Sequence, residues 1–448
     1  MMNDRMHRKK HNAPRTERTA EERLLLTLLR EALRGEVKGQ SPGFSPGEPP
    51  RETRTGESAD TLPEETRDSA DWQQLIHMAE RHGVLPLLYD QVAEGENMPA
   101  DPGRRVTEAA RRTVQQSYRL LFLSKYLIGE LERAGISVIL LKGAGTAAYY
   151  PVPEYRKAGD VDLLLLRPGE LTRAGEVLER LGCVRVEEQP SLHHVVYRAD
   201  EGIEVEVHTL PAEPFDNARV NRYMEEWVSD CAQYIQLADL MGVRLPVPGE
   251  ADHAFALLLH MLQHFLRSGF GLKLLCDWVV FWNRETDGET RERYLRLVTE
   301  SRVKGFSDMV TLTCCRYLGL SKKYVTWMRL PDRYETDLFL SEILEAEEFG
   351  RSSEDRMVAL RGNSPADYIR EFHHQMCLNF PRGSRVIPCW PFLWLITLGR
   401  FVRNNRKVRN TTGRAILQEA GRRGKIASQI GLFRVEKEGS GRGKTDIG

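Results

Sequence analysis

Apolar residues at helical spacing predict helices in the first part of the chain. Residues 20–35 form a short amphipathic helix after a polar tail, so residues 1–35 are a tail and one helix. Residues 36–70 are rich in Pro, Gly, Ser, Glu and Arg and predict a disordered linker, because they cannot bury enough apolar surface to offset chain entropy. Helical periodicity resumes at Asp71 and includes a long helix from about Arg104 to Arg133, which makes residues 71–134 a helical lead-in.

Beyond Gly135 the apolar pattern changes from helical to extended. Residues 136–141 are a continuous apolar, β-branched run that predicts a buried strand, and residues 160–166 predict a second one. Residues 135–214 are therefore predicted to form an α/β core. Its further elements are a crossover helix and three short strands, at 171–182, 183–188, 193–198 and 203–210.

After about Pro214 no comparable strand run is present, and stretches bearing Leu, Trp and His predict an all-helical domain over residues 215–380. Residues 381–448 are an apolar stretch and a basic tail. The apolar stretch is shorter than the roughly 20 residues that span a bilayer. Two interpretations stay open: a core helix with a solvated tail, or contact with an anionic membrane or nucleic acid.

Composition excludes some classes of protein. The 64 basic and 64 acidic residues of the 448 leave no global field that would steer the molecule to nucleic acid. The seven cysteines are odd in number and include no C-x-x-C pair, so we expect buried thiols, no disulfide-linked partner and a cytoplasmic location. The basic N-terminus is not followed by the apolar region of a signal peptide, and export is not expected.

Two acidic residues form the first candidate site. Asp160 and Asp162 are two positions apart on a predicted strand, so both carboxylates point to one face while Val161 and Leu163 point into the core. Paired acids repel each other unless a cation joins them, and hard carboxylate oxygens suit Mg²⁺ or Mn²⁺. The alternative, a solvated pair on an edge strand, is disfavoured by the apolar run that follows.

Two neighbouring segments add to this pair. The strand at 136–141 leads into Lys142, Gly143, Gly145 and Thr146, where glycines allow the backbone to approach a phosphate and a helix start favours anions. A plain strand-to-helix turn is the alternative. Residues 203–208 alternate strictly, which places a third acid, Glu206 or Glu204, on one face together with His208.

The order of these parts resembles the polymerase-β-like nucleotidyltransferase superfamily: a glycine turn, a D-x-D strand and a later carboxylate strand. More closely, the chain resembles the bacterial uncharacterised nucleotidyltransferase family over about residues 70–300. Its motifs match Leu141-Lys142-Gly143, Arg156 followed by Gly159-Asp160-Val161-Asp162-Leu163, and Glu206-Val207-His208. The implied fold class is α+β: a mixed polymerase-β-like sheet with flanking helices, and a C-terminal all-helical domain.

The resemblance implies a catalytic, metal-holding set of Asp160, Asp162 and Glu206 for Mg²⁺ or Mn²⁺. An acceptor would attack the α-phosphate of a nucleoside triphosphate, ATP by default, and pyrophosphate would leave; the acceptor is unknown. Nucleotide-binding candidates are Lys142, Gly143, Gly145, Thr146 and Arg156, although Lys142 and Arg156 could simply balance the carboxylates. Glu206 is preferred over Glu204 because it matches the E-h-H motif.

Some features leave other interpretations open. Many superfamily members carry Ser after the glycine, whereas this chain has Ala144, which leaves room for a degenerate nucleotide-binding or partner-docking module. His260 and His264 have zinc-ligand spacing, but Met261 stands where a metalloprotease has glutamate. Candidates to line the cleft are Glu204, His208, His194, His260 and His264. A template-directed polymerase is disfavoured, since no basic, aromatic-interleaved groove is readable.

Overall fold

The computed structural model describes most of the chain between residues 18 and 432. The described ranges are 18–34, 70–92, 100–186, 193–215, 217–267, 269–346, 365–380, 383–409 and 425–432. The predicted tail before residue 18, the linker up to residue 69, residues 187–192 of the predicted strand region and most of the basic tail lie outside them.

The described helices are named in chain order, leaving aside single 3-10 turns. They are α1 (Ala20–Arg34), α2 (Trp72–Arg81), α3 (Tyr89–Val92), α4 (Ala100–Arg133), α5 (Ala144–Ala147), α6 (Leu171–Arg180), α7 (Ala218–Cys231), α8 (Glu250–Arg267), α9 (Leu272–Trp282), α10 (Gly288–Glu300), α11 (Lys304–Tyr317), α12 (Lys322–Val325), α13 (Thr336–Ala346), α14 (Pro365–Asn379) and α15 (Trp390–Arg409). The strands are β1 (Val138–Leu140), β2 (Asp160–Leu165), β3 (Val184–Arg185), β4 (His194–Arg198), β5 (Glu204–His208), β6 (Gln236–Leu240) and β7 (Val243–Val247).

Five strands form one mixed sheet in the order β1-β2-β5-β4-β3. The pair β2–β5 is parallel, and the pairs β1–β2, β4–β5 and β3–β4 are antiparallel. The parallel pair lies in the middle of the sheet, where it is covered on both sides. This confirms the predicted α+β class with a mixed sheet, and it places the two acid-bearing strands beside each other.

The two faces of the sheet belong to different apolar cores. Val161 and Leu163 of β2 and Val205 and Val207 of β5 pack with the second half of α4, with α6 and with the β6–β7 strands. On the opposite face, Leu164 and Leu166 join the core formed by the helices. The period of two along a strand therefore assigns the carboxylates of β2 to the same face as Leu164 and Leu166.

The first helix is part of the helical core. Leu24, Leu25, Leu28 and Leu29 are fully buried against the later helices. Arg30 Nε donates a hydrogen bond to the carbonyl oxygen of Tyr317 at 2.8 Å. The short helix predicted before the linker thus packs on residues almost 300 positions later in the chain.

The prediction of an all-helical region over residues 215–380 is wrong at one place. Strands β6 and β7 form an antiparallel hairpin, with Met241 and Gly242 both at positive φ in its turn. The oxygen Asp239 Oδ1 accepts a hydrogen bond from the backbone amide of Gly242 at 2.8 Å. The pattern was missed because the turn lacks the usual Asn-Gly pair and Pro246 argues against a strand; at an edge position Pro is tolerated.

The docking of α1 is testable by substitution. We expect Leu28→Ala to lower the free energy of unfolding by about 2–5 kcal/mol, since it removes a fully buried side chain and leaves a cavity. Thr27→Ala, at a half-buried neighbouring position of the same helix, is the control and should change little. Urea denaturation measures both variants. Equal and small effects would show that α1 does not pack into the core.

Candidate active site

The predicted acids lie together on the face of the sheet that carries Leu164 and Leu166. In the parallel pair, Asp162 lies opposite Glu206 and Asp160 lies opposite Glu204. Asp162 is buried and Glu206 is half-buried, with its side chain 23% exposed. Carboxylates from two separate strands therefore share one partly buried place.

Lys142 and His208 contact this acid pair. Lys142 Nζ lies 2.9 Å from Asp162 Oδ1. His208 Nε2 lies 3.0 Å from both Asp162 Oδ1 and Glu206 Oε2. Burial alone would raise the pKa of Asp162, but Lys142 and the hydrogen bond from His208 hold that pKa well below its usual range. Burial opposes the charged form of His208, yet its two carboxylate partners raise its pKa.

Asp160 has the opposite electrostatic character. The charge of Asp162, together with burial, raises the pKa of Asp160 to about 6. Lys142 and Lys273, the latter in the first turn of α9, act against this rise. The pKa values of the two carboxylates on this face therefore shift in opposite directions. Repulsion from Asp162 raises the pKa of Asp160.

Glu204 and Glu206 differ in surroundings although both lie on the acid face of β5. The Glu204 side chain is 48% exposed and faces Arg198 Nη2, which lies 3.5 Å from Glu204 Oε1. Glu206 instead contacts His208, and the hydrogen bond from His208 lowers its pKa against the effect of burial. Of the two candidates for the third acid, Glu206 is the one beside Asp162.

The glycine loop lies directly beside the acids. Gly143 has φ +61°, a conformation that favours glycine, and a β-carbon there would lie 3.9 Å from Asp162 Oδ2. At Gly145 a β-carbon would lie 3.3 Å from Val247 Cγ1 of the hairpin, so this glycine allows close packing of α5 on β7. The two glycines therefore serve different local needs, one conformational and one steric.

Arg156 ties this loop to the helical part of the molecule. Its Nε and Nη2 donate to the two carboxylate oxygens of Asp277 in α9, at 2.7 Å and 2.8 Å. Its Nη1 donates to the carbonyl oxygen of Gly143 at 3.0 Å. Tyr150 Oη donates a further hydrogen bond to Asp277 Oδ1 at 2.7 Å. All four groups are buried, which makes this a satisfied ionic network rather than an isolated charge.

The remaining predicted site residues lie around the loop. Thr146 is fully buried, and its Oγ1 lies 3.3 Å from His253 Nε2 of α8. His260 Nδ1 lies 3.3 Å from Lys142 Nζ, and the His260 and His264 rings are 4.5 Å apart between centroids. Burial lowers the pKa of His260 well below its usual value and that of His264 to about 4, so both rings are neutral near pH 7. Their nucleotide and cleft roles stay predictions.

Sequence reasoning missed several residues of this region. Tyr150 carries no motif, and no pattern assigned a role to Asp277, because its partner Arg156 lies more than 100 positions away in the chain. Strict alternation along the predicted strand at 193–198 would place His193 and His194 on opposite faces, but β4 begins only at His194. Their rings lie 4.2 Å apart, and both lie near His208. The adjacent pair His193-His194 was the one feature of the sequence that could have indicated this group of histidines.

A family model described as "Uncharacterised nucleotidyltransferase" matches residues 68–319, which contain the acids, the glycine loop and Asp277. The chain belongs to the uncharacterised nucleotidyltransferase family. No curated protein and no solved structure matches it. Membership supports transfer of a nucleotidyl group as the general class of activity, and the mixed five-stranded sheet fits the polymerase-β-like fold.

The buried ion pair of Arg156 with Asp277 gives a prediction. We expect Arg156→Ala to lower the free energy of unfolding by about 3–5 kcal/mol, because it leaves Asp277 charged and buried without its partner. Arg167→Ala, at an exposed position just after β2, is the control. Thermal unfolding measures the loss. A change as small as that of the control would show that this ion pair does not stabilise the fold.

Proposed function

We propose that this chain transfers a nucleoside monophosphate from a nucleoside triphosphate to an acceptor, with Asp160, Asp162 and Glu206 holding Mg²⁺ or Mn²⁺. The observation that supports this most is the pairing of Asp162 with Glu206 across parallel strands, with Asp160 on the same face of β2. ATP is the donor we test first. The acceptor hydroxyl would lose a proton, bond to the α-phosphorus and displace pyrophosphate.

The donor set suits a hard divalent cation. Three carboxylates from two strands supply oxygen ligands, which Mg²⁺ and Mn²⁺ prefer. The raised pKa of Asp160 reports repulsion from Asp162, and a divalent cation would relieve that repulsion. Such ions, when bound, neutralise phosphate charge and favour deprotonation of the acceptor. Asp160 and Asp162 would hold both ions, and Glu206 would complete one of them.

The other residues act on position and charge. Lys142 forms an ion pair with Asp162, and we propose that its amine turns to a phosphate oxygen when a metal binds the carboxylate. Lys273 is a second cation whose charge reaches Asp160, and it suits the triphosphate. Arg156 fixes the carbonyl of Gly143, which keeps the loop backbone beside the acids for close approach of phosphate.

The transfer reaction is tested with α-labelled ATP, GTP, CTP and UTP, Mg²⁺ or Mn²⁺, and a cell lysate as the source of acceptor. We expect label to enter one acceptor class only when metal is present. Asp160→Asn, Asp162→Asn and Glu206→Gln should each reduce transfer by more than about 100-fold, because a metal ligand matters at least as much as a second-shell group.

Glu204→Gln is the matched control on the same strand and should retain transfer, since Glu204 is exposed. A loss in Glu204→Gln equal to that in Glu206→Gln would contradict the assignment of the third acid. Nucleotide binding without any transfer would contradict the enzyme and support the degenerate binding module. Circular dichroism of each variant checks that it folds.

We also propose that α15 docks on an anionic membrane surface. Phe392, Leu395 and Ile396 are 70%, 67% and 46% exposed, and their spacing places them on one face of the helix. Residues 381–409 contain no Asp or Glu, and five basic residues occupy positions 400–409. Among the described residues no helix is long and apolar enough to cross a bilayer. An exposed apolar face followed in the sequence by basic residues fits an interfacial helix, whereas nucleic acid offers phosphates but little apolar surface. The cytoplasmic location stays a prediction.

Vesicle flotation tests this docking. The full chain should float with vesicles that contain phosphatidylglycerol and not with phosphatidylcholine alone, and high salt should release it. Phe392→Ser with Leu395→Ser should weaken binding at least about tenfold, since a buried apolar side chain contributes roughly 1.5–3 kcal/mol. Phe122→Ser, at an exposed aromatic of α4, is the control. Salt-sensitive binding to duplex DNA or RNA without vesicle binding would contradict the proposal.

A further inference from the structure

Three histidines form a cluster at one end of β4 and β5. His193 immediately precedes β4, His194 begins it, and His208 is the last residue of β5. One ring nitrogen from each of the three lies within 4.8 Å of the other two. His194 Nδ1 and His193 Nε2 are 2.8 Å apart. The antiparallel register, which pairs His194 with His208, brings these rings together.

His208 belongs to this cluster and to the acid site at once. Its Nε2 contacts Asp162 and Glu206. Its other ring nitrogen, Nδ1, is buried and has no hydrogen-bond partner within the part of the chain that the structure describes. Leaving such a polar atom without a partner in a side chain that is 1% exposed lowers the stability of the folded chain. A metal ion that binds this ring nitrogen would remove this loss of stability.

The chemistry of the cluster differs from that of the acids beside it. Imidazole nitrogen suits Zn²⁺ and neighbouring transition metals, whereas carboxylate oxygen suits Mg²⁺ and Mn²⁺. Three protein ligands with a remaining coordination position are the arrangement of catalytic zinc sites, while structural sites provide four. His193 and His208 are buried and His194 is half-buried, so an ion there would have one side open.

We propose that His193, His194 and His208 bind one transition-metal ion of the Zn²⁺ class, next to the carboxylates and distinct from the Mg²⁺ or Mn²⁺ that these would hold. The proposal does not depend on nucleotidyl transfer, because the ligands are imidazoles and binding requires no nucleotide. The His260–His264 pair is not part of it. Among the described residues, no third ligand atom lies close enough to His260 and His264 to form a metal-binding group with them.

The test uses the full chain after removal of metals by a chelator and dialysis. Zn²⁺ alone, and Co²⁺ alone as a spectroscopic probe, are titrated without nucleotide or Mg²⁺. We expect one tightly bound ion per chain and a visible Co²⁺ absorption band that Zn²⁺ abolishes. His193→Ala and His194→Gln should each weaken Zn²⁺ binding by more than about 100-fold. His194→Gln is the milder variant, since His194 is half-buried.

Two controls separate this site from the others. His77→Ala, at an exposed histidine of α2, should bind Zn²⁺ as the wild type does. Asp160→Asn alters the acid site and leaves all three imidazoles, so it should keep the Co²⁺ band even where transfer is lost. No Zn²⁺ binding by the wild type, unchanged binding in both histidine variants, or loss of the band in Asp160→Asn would overturn the proposal.

Discussion

The parallel pairing of β2 with β5 is the constraint on which the rest of the site depends. It brings Asp162 and Glu206 to neighbouring positions, where two partly buried negative charges repel each other. Lys142 and His208 offset that repulsion within the chain. Lys142 and Lys273 only partly offset the effect of Asp162 and of burial on Asp160, whose pKa stays raised. Two apolar cores, one on each face of the sheet, keep these groups together. Alternate residues along the central strands pack into one core or the other.

The second link joins the sheet to the helices. Asp277 in α9 receives Arg156 and Tyr150, and Arg156 in turn holds the carbonyl of Gly143. A movement of α9 would therefore displace Arg156 and, through it, the carbonyl of Gly143 in the glycine loop. The same helix carries Lys273, whose charge acts on Asp160, so one element supplies both the carboxylate that binds Arg156 and a cation for the site. Substrate bound between the sheet and α9 would contact groups from both parts of the chain.

Local patterns in the sequence were sufficient for the acids and for Lys142 and His208 beside them, but not for the groups that α9 supplies. The alternation of Asp160-Val161-Asp162 and of residues 203–208 gave the strands and the shared face, because side-chain direction on a strand follows a period of two. Asp277 and Lys273 lie in an apolar helix and act on residues more than 100 positions earlier, Asp277 on Arg156 and Lys273 on Asp160, which no local pattern encodes. The hairpin β6–β7 was missed because Pro246 and a Met-Gly turn hide its alternation. His193 was misplaced because a strand boundary one residue later changes which rings meet.

A structure of the chain with Mn²⁺ and a non-hydrolysable nucleoside triphosphate analogue tests the central claim most directly, since anomalous scattering locates the metal. The account predicts Mn²⁺ bound by Asp160, Asp162 and Glu206, with the triphosphate beside Gly143 and the Lys142 amine moved from Asp162 toward phosphate. Mn²⁺ bound elsewhere, with Lys142 still paired to Asp162 and nucleotide absent from the loop, would contradict it.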